Sequence, residues 1–384
     1  MKFWFFGYVF FNFSNFNSIL LAMFYNANSD IVFNVVFDLT SEVYFGWWLR
    51  NIHANGASFF FLVVYLHMCR SIYYCSFIYP RQLLWMSGAV IWVLMIATAF
   101  MGYILPWGQM SFWGAMVITS LLGALPGVGS DILLLLWGSY SIDNATLHRF
   151  YSLHYTLPFV ILMLTILHIA LLHEFGSNNP LGLSVRLDHI PFLPYYGIKD
   201  SFSLIIVLIV FFIFVMIAPD KLGHSDNFIL ANSLVTPAHI VPEWYFLPLY
   251  AILRSVTDKL LGISLIGLTI VVILFFPYFC KGFIIRSTIF RPLYGIIVWI
   301  FFVDCFLLGW IGSLPIMTPY FEIGLASTIL FFIYFFFLFP LVGNIEKLIF
   351  HLYSYRFVDI EDKNYLKGSR LYSFIFLINS YKNI

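Results

Sequence analysis

Four histidines in two equally spaced pairs constrain this chain more than any other feature. His53 and His67 are fourteen residues apart, as are His154 and His168, and each pair lies in a long apolar stretch. Fourteen residues at about 100° each return to within roughly 40° of the starting direction and advance about 21 Å along a helix. Both imidazoles of a pair are therefore expected on one face of one helix, at two different depths.

The composition predicts a membrane protein. Of the 384 residues, 62% are hydrophobic and 10% are charged, whereas a soluble domain carries about 25% charged residues. The net charge of +1 indicates no excess of basic residues that would bind phosphates, so we expect no nucleic-acid partner. The four cysteines form no CxxC or CxxCH motif, so no disulfide framework, zinc site or covalent haem attachment is indicated.

Eight stretches approach the roughly 20 apolar residues that cross a bilayer. They lie near 3–25, 47–78, 84–105, 149–173, 201–218, 261–280, 289–312 and 320–345. The predicted fold is an all-α membrane protein with eight transmembrane helices, of which the first four form a four-helix bundle. By chain order, the long connections 106–148 and 219–260 lie on one side of the membrane and 174–200 on the other.

The histidine pairs lie in the second and fourth stretches, which run parallel because one span separates them. His53 should therefore face His154, and His67 should face His168. A lone intramembrane histidine is as readily a polar contact between helices as a ligand, but four with a repeated spacing favour ligands. Neutral imidazole is a standard ligand of haem iron. We predict two non-covalent b-type haems in this four-helix bundle, each held by one histidine from each helix.

Residues beside the histidines suit this prediction. Arg50, Arg70 and Arg149 lie near the membrane edges, where arginine pairs well with carboxylates such as haem propionates; snorkelling at helix ends is the alternative. Gly88 and Gly102 repeat the fourteen-residue spacing on the intervening helix. We interpret them as leaving space for the haem faces, although small residues also permit close helix packing in membranes.

Polar groups in two connections are candidates for proton exchange. Glu243 ends the connection 219–260 and is a candidate to accept a proton from a bound quinol; a solvated loop acid is the alternative. His173 is rotated away from the ligand face, and with Asp200 it is a candidate for a second proton-exchange pocket. Each of these two residues is alternatively an interfacial polar group.

Four longer motifs carry a family resemblance. They are RNIHANGAS at 50–58, MGYILPWGQMSFWG at 101–114, HEFGSNNP at 173–180 and PEWY at 242–245. In this order they resemble the mitochondrial cytochrome b family, the dihaem subunit of ubiquinol–cytochrome c reductase (complex III). Mitochondrial members have thirteen residues between the histidines of both pairs, as here. Chloroplast relatives have fourteen in the second pair and end after four spans.

The resemblance implies an enzyme subunit that transfers electrons across the membrane. His53 and His154 would hold a low-potential haem near the intermembrane space, and His67 and His168 a high-potential haem near the matrix. Quinol would be oxidised beside the first haem and quinone reduced on the matrix side, which contributes to proton translocation (the Q cycle). The implied location is the mitochondrial inner membrane, and the excess of phenylalanine and tyrosine suits an organellar gene.

The resemblance also implies sites and partners. Positions that match the quinol-oxidation site are Phe100, Tyr103, Gly114, Pro242, Glu243, Phe246 and Tyr250. Positions that match the quinone-reduction site are His173, Ser177, Lys199 and Asp200. The implied partners are ubiquinone, the Rieske iron–sulfur protein, a cytochrome c1-type subunit, other complex III subunits and a second copy of the complex.

Three regions are expected: a dihaem region at 1–200, a second region at 201–354 with the quinol-site loop and four helices, and an extra tail at 355–384. Near the start, Trp4 and Ser18 stand where the family has two glycines that face the haems. The family's amphipathic N-terminal segment, which helps to close the matrix-side pocket, is not recognisable. We expect that wall to come from Phe3–Phe6, the tail or another subunit.

Two other functions also use intramembrane histidines. Another dihaem membrane subunit, such as a ferric reductase or a dehydrogenase anchor, is disfavoured by the PEWY motif and by the lack of a nucleotide-binding domain. A channel or transporter that uses histidines as proton relays would show no b-type haem band in a reduced-minus-oxidised spectrum.

Overall fold

The computed structural model describes residues 3–182, 190–280, 282–283 and 286–358. This part of the chain is helical and contains no strand, which confirms the all-α prediction for it. Its α-helices are α1 Phe3–Ala22, α2 Val32–Ser41, α3 Gly46–Tyr73, α4 Gln82–Ile104, α5 Gln109–Ser120, α6 Gly129–Trp137, α7 Asn144–Phe175, α8 Gly197–Ile217, α9 Leu247–Arg254, α10 Lys259–Leu274, α11 Phe276–Phe279, α12 Pro292–Gly312, α13 Tyr320–Ile333 and α14 Phe339–Val358. A π-helical turn, Tyr334–Leu338, joins the last two.

Six of the eight predicted stretches form helices that are long and apolar enough to cross a membrane. They contain α3, α4, α7, α8, α12, and α13 with α14. The sixth stretch forms α10, whose 16 residues are fewer than the roughly 20 that cross a bilayer. The first forms α1, whose 20 residues include three asparagines and two serines that lower its apolar character. The predicted tail beyond Val358 lies outside the described residues.

The first four long helices pack in two antiparallel pairs. On α1 and α3, Gly7 lies against Val63 while the Asn17 amide bonds the Leu49 carbonyl. Helices α4 and α7 pack together along their length, and α8 packs against both α3 and α1. The ring of Phe59 on α3 meets Phe211 on α8 edge to face, with centroids 5.1 Å apart. Helices α1, α3 and α8 therefore share one apolar cluster.

The first and third long connections contact each other, as expected for connections on one side of a membrane. Gln109 at the start of α5 is buried. Its side-chain amide donates to the Val235 carbonyl and its oxygen accepts from the Asn232 N–H at 2.7 Å. Gly108 also forms an isolated antiparallel bridge with Leu230. The loop that leads to Glu243 is thus attached to the start of α5.

A buried ion pair joins α12 to α14 beneath the end of α3. The Arg291 guanidinium bonds the Glu346 carboxylate and the Cys75 sulfur, and it stacks on the rings of Phe283 and Tyr294 at 3.9 and 4.2 Å. Arg291 is 1% exposed and Glu346 13%. The same core contains residues of α9 to α14 and of the segment after α3, so the expected regions 1–200 and 201–354 pack together.

We expect Arg291→Ala to destabilise the chain by about 3–5 kcal/mol, because it leaves Glu346 as an unpaired buried charge. The midpoint of thermal unfolding of the detergent-solubilised protein should fall accordingly. Arg286→Ala is the matched control, because Arg286 is more exposed and donates to the Tyr79 carbonyl. The double variant Arg291→Met/Glu346→Leu should recover much of the loss. Equal midpoints for Arg291→Ala and Arg286→Ala would contradict the assignment.

Candidate functional site

The structure brings the four histidines together in two pairs. The ring centroids of His53 and His154 are 6.1 Å apart, and those of His67 and His168 are 6.4 Å apart. We call these the first pair and the second pair. They are the partners expected from parallel helices. The fourteen-residue spacing places both pairs along one face of α3 and one face of α7.

The donor set of each pair fits a haem iron. Imidazole nitrogens bind a metal at about 2.0–2.1 Å, so two rings on opposite sides of one metal have centroids roughly 6 Å apart. Among the described residues, no group of three or more His, Cys, Asp and Glu side chains gathers in the way a purely protein-bound metal needs. Two opposed protein ligands are what a metal already held by a macrocycle requires.

Helix α4 supplies hydrogen-bond acceptors to the two histidines of α7. Nδ1 of His154 lies 2.8 Å from the Thr98 carbonyl, and Nδ1 of His168 lies 2.8 Å from the Ser87 hydroxyl. The Thr98 carbonyl can only accept, so Nδ1 of His154 carries the proton and Nε2 keeps its lone pair for a metal.

The histidines of α3 differ from those of α7. His53 Nδ1 is buried and makes no fully formed hydrogen bond within the described part of the chain. His67 Nδ1 lies 2.9 Å from an Arg70 guanidinium nitrogen. Since arginine can only donate, His67 Nδ1 accepts, and the neutral ring then carries its proton on Nε2. Arg70 must therefore leave this bond before Nε2 of His67 can bind a metal.

The two glycines of α4 lie against the histidines of α7. A Cβ added at Gly88 would be 3.0 Å from Cε1 of His168, and a Cβ added at Gly102 would overlap the ring of His154. Each glycine therefore allows an imidazole to approach the α4 backbone. The predicted role of these residues, space for a haem face, has the same steric basis and stays a prediction.

A cavity of about 450 Å³ surrounds the first pair. Its walls come from α1, α2, α3, α4, α7 and the third long connection. Residues that line it include Asn12, Ser14, Asn15, Ser18, Val35, Val36, Leu39, Arg50, His53, Gly102, Tyr103, His154, Glu243 and Tyr245. The histidines and the predicted proton acceptor therefore share one cavity.

Part of this wall was not predicted. Helix α2 has its apolar residues at helical spacing, with Val32 and Leu39 buried, and that spacing was a usable signal. The polar side chains of α1 include Ser18, which was noted only as a departure from the family pattern. Ser87 and Thr98 gave no sequence signal, because their role depends on how α4 is rotated against α7.

Burial raises the pKa of the Glu243 carboxyl to about 7, while the neighbouring Tyr103 hydroxyl lowers it. That hydroxyl approaches the carboxyl without completing a hydrogen bond. The loop is held beside α3 by its aromatic residues: Trp244 donates to the Ser58 hydroxyl at 3.1 Å, and Tyr245 stacks on Phe61 at 4.2 Å. A carboxyl with a pKa near neutrality is suited to accept and release protons.

Other residues expected at the quinol-oxidation site lie outside the lining of this cavity. They are Phe100, Gly114, Pro242, Phe246 and Tyr250. The Tyr250 hydroxyl donates to the Ile240 carbonyl at 3.0 Å, and Phe100 packs against Phe150. A Cβ added at Gly114 would have no neighbour within 4 Å.

The residues expected at the quinone-reduction site lie at the ends of α7 and α8. His173 is in the last turn of α7, Ser177 follows it, and Lys199 and Asp200 are in the first turn of α8. The first three are exposed and Asp200 is half-buried. Of the suggested wall, Phe6 is buried against α3 and α8, and the tail from 359 lies outside the described residues.

The three arginines have different surroundings. Arg50 lines the first-pair cavity, with its guanidinium 5.1 Å from the Phe228 ring. Arg70 contacts the second pair, as described above. Arg149 donates to the Leu135 carbonyl of α6 at 2.8 Å and is exposed. In this structure Arg149 therefore holds α6 rather than lining the cavity, and its predicted pairing with a propionate stays a prediction.

Comparisons with known proteins agree with this arrangement. Residues 1–176 match the family model described as "Cytochrome b/b6/petB", and residues 230–332 match "Cytochrome b(C-terminal)/b6/petD". Cytochrome b of Dictyostelium citrinum is 53% identical over 87% of this chain and 86% of its own length. Cytochrome b of Solanum tuberosum is 51% identical over 86% of this chain and 83% of its own length.

A solved structure shares the fold. A chain of a structure described as "Hyperthermophilic respiratory Complex III" superposes with a TM-score of 0.85 at 32% identity, over 90% of this chain and 91% of its own. The matches extend over both histidine pairs and the loop with Glu243. The chain belongs to the cytochrome b family.

Proposed function

We propose that the chain is the dihaem core subunit of a mitochondrial quinol–cytochrome c oxidoreductase. The observation that carries the proposal is the arrangement of two opposed histidine pairs, of which the first shares a cavity with Glu243. Membership of the cytochrome b family implies haem b binding. When bound, two haems supply one-electron carriers at two depths of the membrane. All eight helical stretches span the bilayer in this proposal.

The chain's own residues perform the binding and the proton chemistry. The first pair holds one haem and the second pair the other, with Gly88 and Gly102 giving the rings close access to α4. Arg50 in the first-pair cavity is placed to pair with a propionate, since a guanidinium binds carboxylates well. Arg70 leaves His67 and takes the same role at the second haem.

Quinol oxidation takes place beside Glu243. The carboxylate accepts a proton from the quinol, and its pKa of about 7 lets it release that proton to the surface on the first-pair side. Quinol gives up two protons and two electrons, and the second proton passes to the same aqueous side. One electron leaves to the Rieske iron–sulfur protein and on to a cytochrome c1-type subunit. The other would cross the membrane by way of the carriers that the first and second pairs would hold, and would reach quinone on the opposite side. Quinone is reduced on the opposite side, where His173, Ser177, Lys199 and Asp200 are the candidate contacts. The complex is a homodimer in the mitochondrial inner membrane, and the chain is encoded in the organelle.

Replacing either histidine of a pair should remove the same haem. In membranes that contain the complex, His53→Leu and His154→Leu should each abolish one of two waves in an optical redox titration. His67→Leu and His168→Leu should abolish the other, because each iron needs one ligand from α3 and one from α7. The exposed His148, in the first turns of α7, provides the control His148→Leu, which should retain both waves. Loss of one and the same wave in His53→Leu and His168→Leu would overturn the pairing.

Glu243→Gln should slow quinol oxidation about 10²-fold while both haems remain bound, since an amide cannot accept the proton. Below a pKa of about 7 the acid is protonated and cannot act as a base. The native rate should therefore rise with pH through that value, and the variant should lack this rise. Glu322→Gln alters an exposed acid that bonds Thr318 and should behave as the native chain. A native pH profile in Glu243→Gln would make the proton-acceptor role untenable.

A further inference from the structure

Ser87 connects the second pair to the backbone of α4. Its hydroxyl oxygen lies 2.8 Å from Nδ1 of His168 and 2.9 Å from the carbonyl oxygen of Leu84. A hydroxyl has one proton to donate, and a carbonyl can only accept. Both contacts are satisfied together only when Ser87 donates to Leu84 and accepts the Nδ1 proton of His168.

This direction has a consequence for the ligand. With the proton on Nδ1, Nε2 of His168 keeps its lone pair. An acceptor on Nδ1 makes the imidazole a more electron-rich ligand, which is the usual effect of outer hydrogen bonds on metal-bound histidines. The ring lies close to the α4 backbone, since a Cβ added at Gly88 would be 3.0 Å from its Cε1.

The second pair is asymmetric in this respect. Nδ1 of His168 can keep its acceptor when Nε2 binds a metal, whereas the bond from Arg70 to Nδ1 of His67 must first be broken. In the first pair the acceptor of His154 is a backbone carbonyl, which no substitution removes. Of the two acceptors on α4, Ser87 is therefore the one that a substitution can remove, and such a substitution changes the hydrogen bonding of His168.

We propose that Ser87 is a positioning residue that fixes the proton of His168 on Nδ1 and thereby lowers the midpoint potential of the haem at the second pair. The inference rests on the proposed function, because it requires a haem at that pair. An electron-rich imidazole favours ferric over ferrous iron, and hydrogen bonding around the ligands is one of the means by which a protein sets a haem potential. Removing the acceptor should therefore raise the potential.

The test is an optical redox titration of membranes that contain the assembled complex. The wave abolished by His168→Leu identifies the haem at the second pair. In Ser87→Ala this wave should move upward by an amount equal to a three- to tenfold change in the oxidised-to-reduced ratio, about 30–60 mV at 59 mV per tenfold for one electron. The other wave should stay in place.

Two further variants separate the hydrogen bond from packing. Ser87→Thr keeps a hydroxyl that can bond the carbonyl of the preceding turn and should restore the native potential. Thr165→Val removes a hydroxyl on α7 that bonds the Ile161 carbonyl, and it should leave both waves in place. A Ser87→Ala wave within twofold of native, or a Ser87→Thr shift as large as that of Ser87→Ala, would overturn the inference.

If Ser87→Ala lost its haem, Ser87→Cys would be titrated in its place, because a thiol is a weaker acceptor of similar size. An upward shift of the same wave in that variant supports the inference, and an unchanged wave overturns it. The two proposals fail separately. Native membranes without two b-type waves would overturn the proposed function, whereas two native waves that Ser87 variants leave unchanged would overturn only the role of Ser87.

Discussion

The contact between α4 and α7 is the interaction on which the rest of the site depends. Two glycines let the imidazoles of α7 reach the α4 backbone, and acceptors on α4 bond the outer nitrogen of each ring. These contacts fix the depth of both imidazoles of α7 relative to α4. A polar group inside a membrane needs such partners, so the same bonds stabilise the helix pair and orient the ligands.

The pairing of the histidines could be predicted from the sequence because it depends on few quantities. The helical repeat fixes which residues share a face, and the bilayer thickness fixes how many residues form a span. Together they made α3 and α7 parallel and matched His53 with His154. The same reasoning could not identify Ser87 or the bond between Arg70 and His67, because periodicity does not specify the rotation of one helix against another.

Loop residues were predictable to a lesser degree. The motif around Glu243 indicated a proton acceptor, and the structure places that carboxyl in the first-pair cavity. The segment Val32–Ser41 is part of no predicted span, although its apolar residues have helical spacing. The expectation for Phe100, Gly114 and Tyr250 rests on family positions alone. A shared position does not specify which cavity wall a side chain reaches in the folded chain.

The attachment of the third connection by Gln109 has a consequence for sequence variation. Gln109 bonds main-chain groups of Asn232 and Val235, and the Trp107 carbonyl accepts from the Ala231 N–H. On the loop side, these bonds involve main-chain groups and no side chain. Most side chains between 229 and 236 can therefore change without breaking these bonds, whereas a substitution at Gln109 would remove two of them. The stretch before Glu243 is thus free to diverge between relatives while the carboxyl keeps its place.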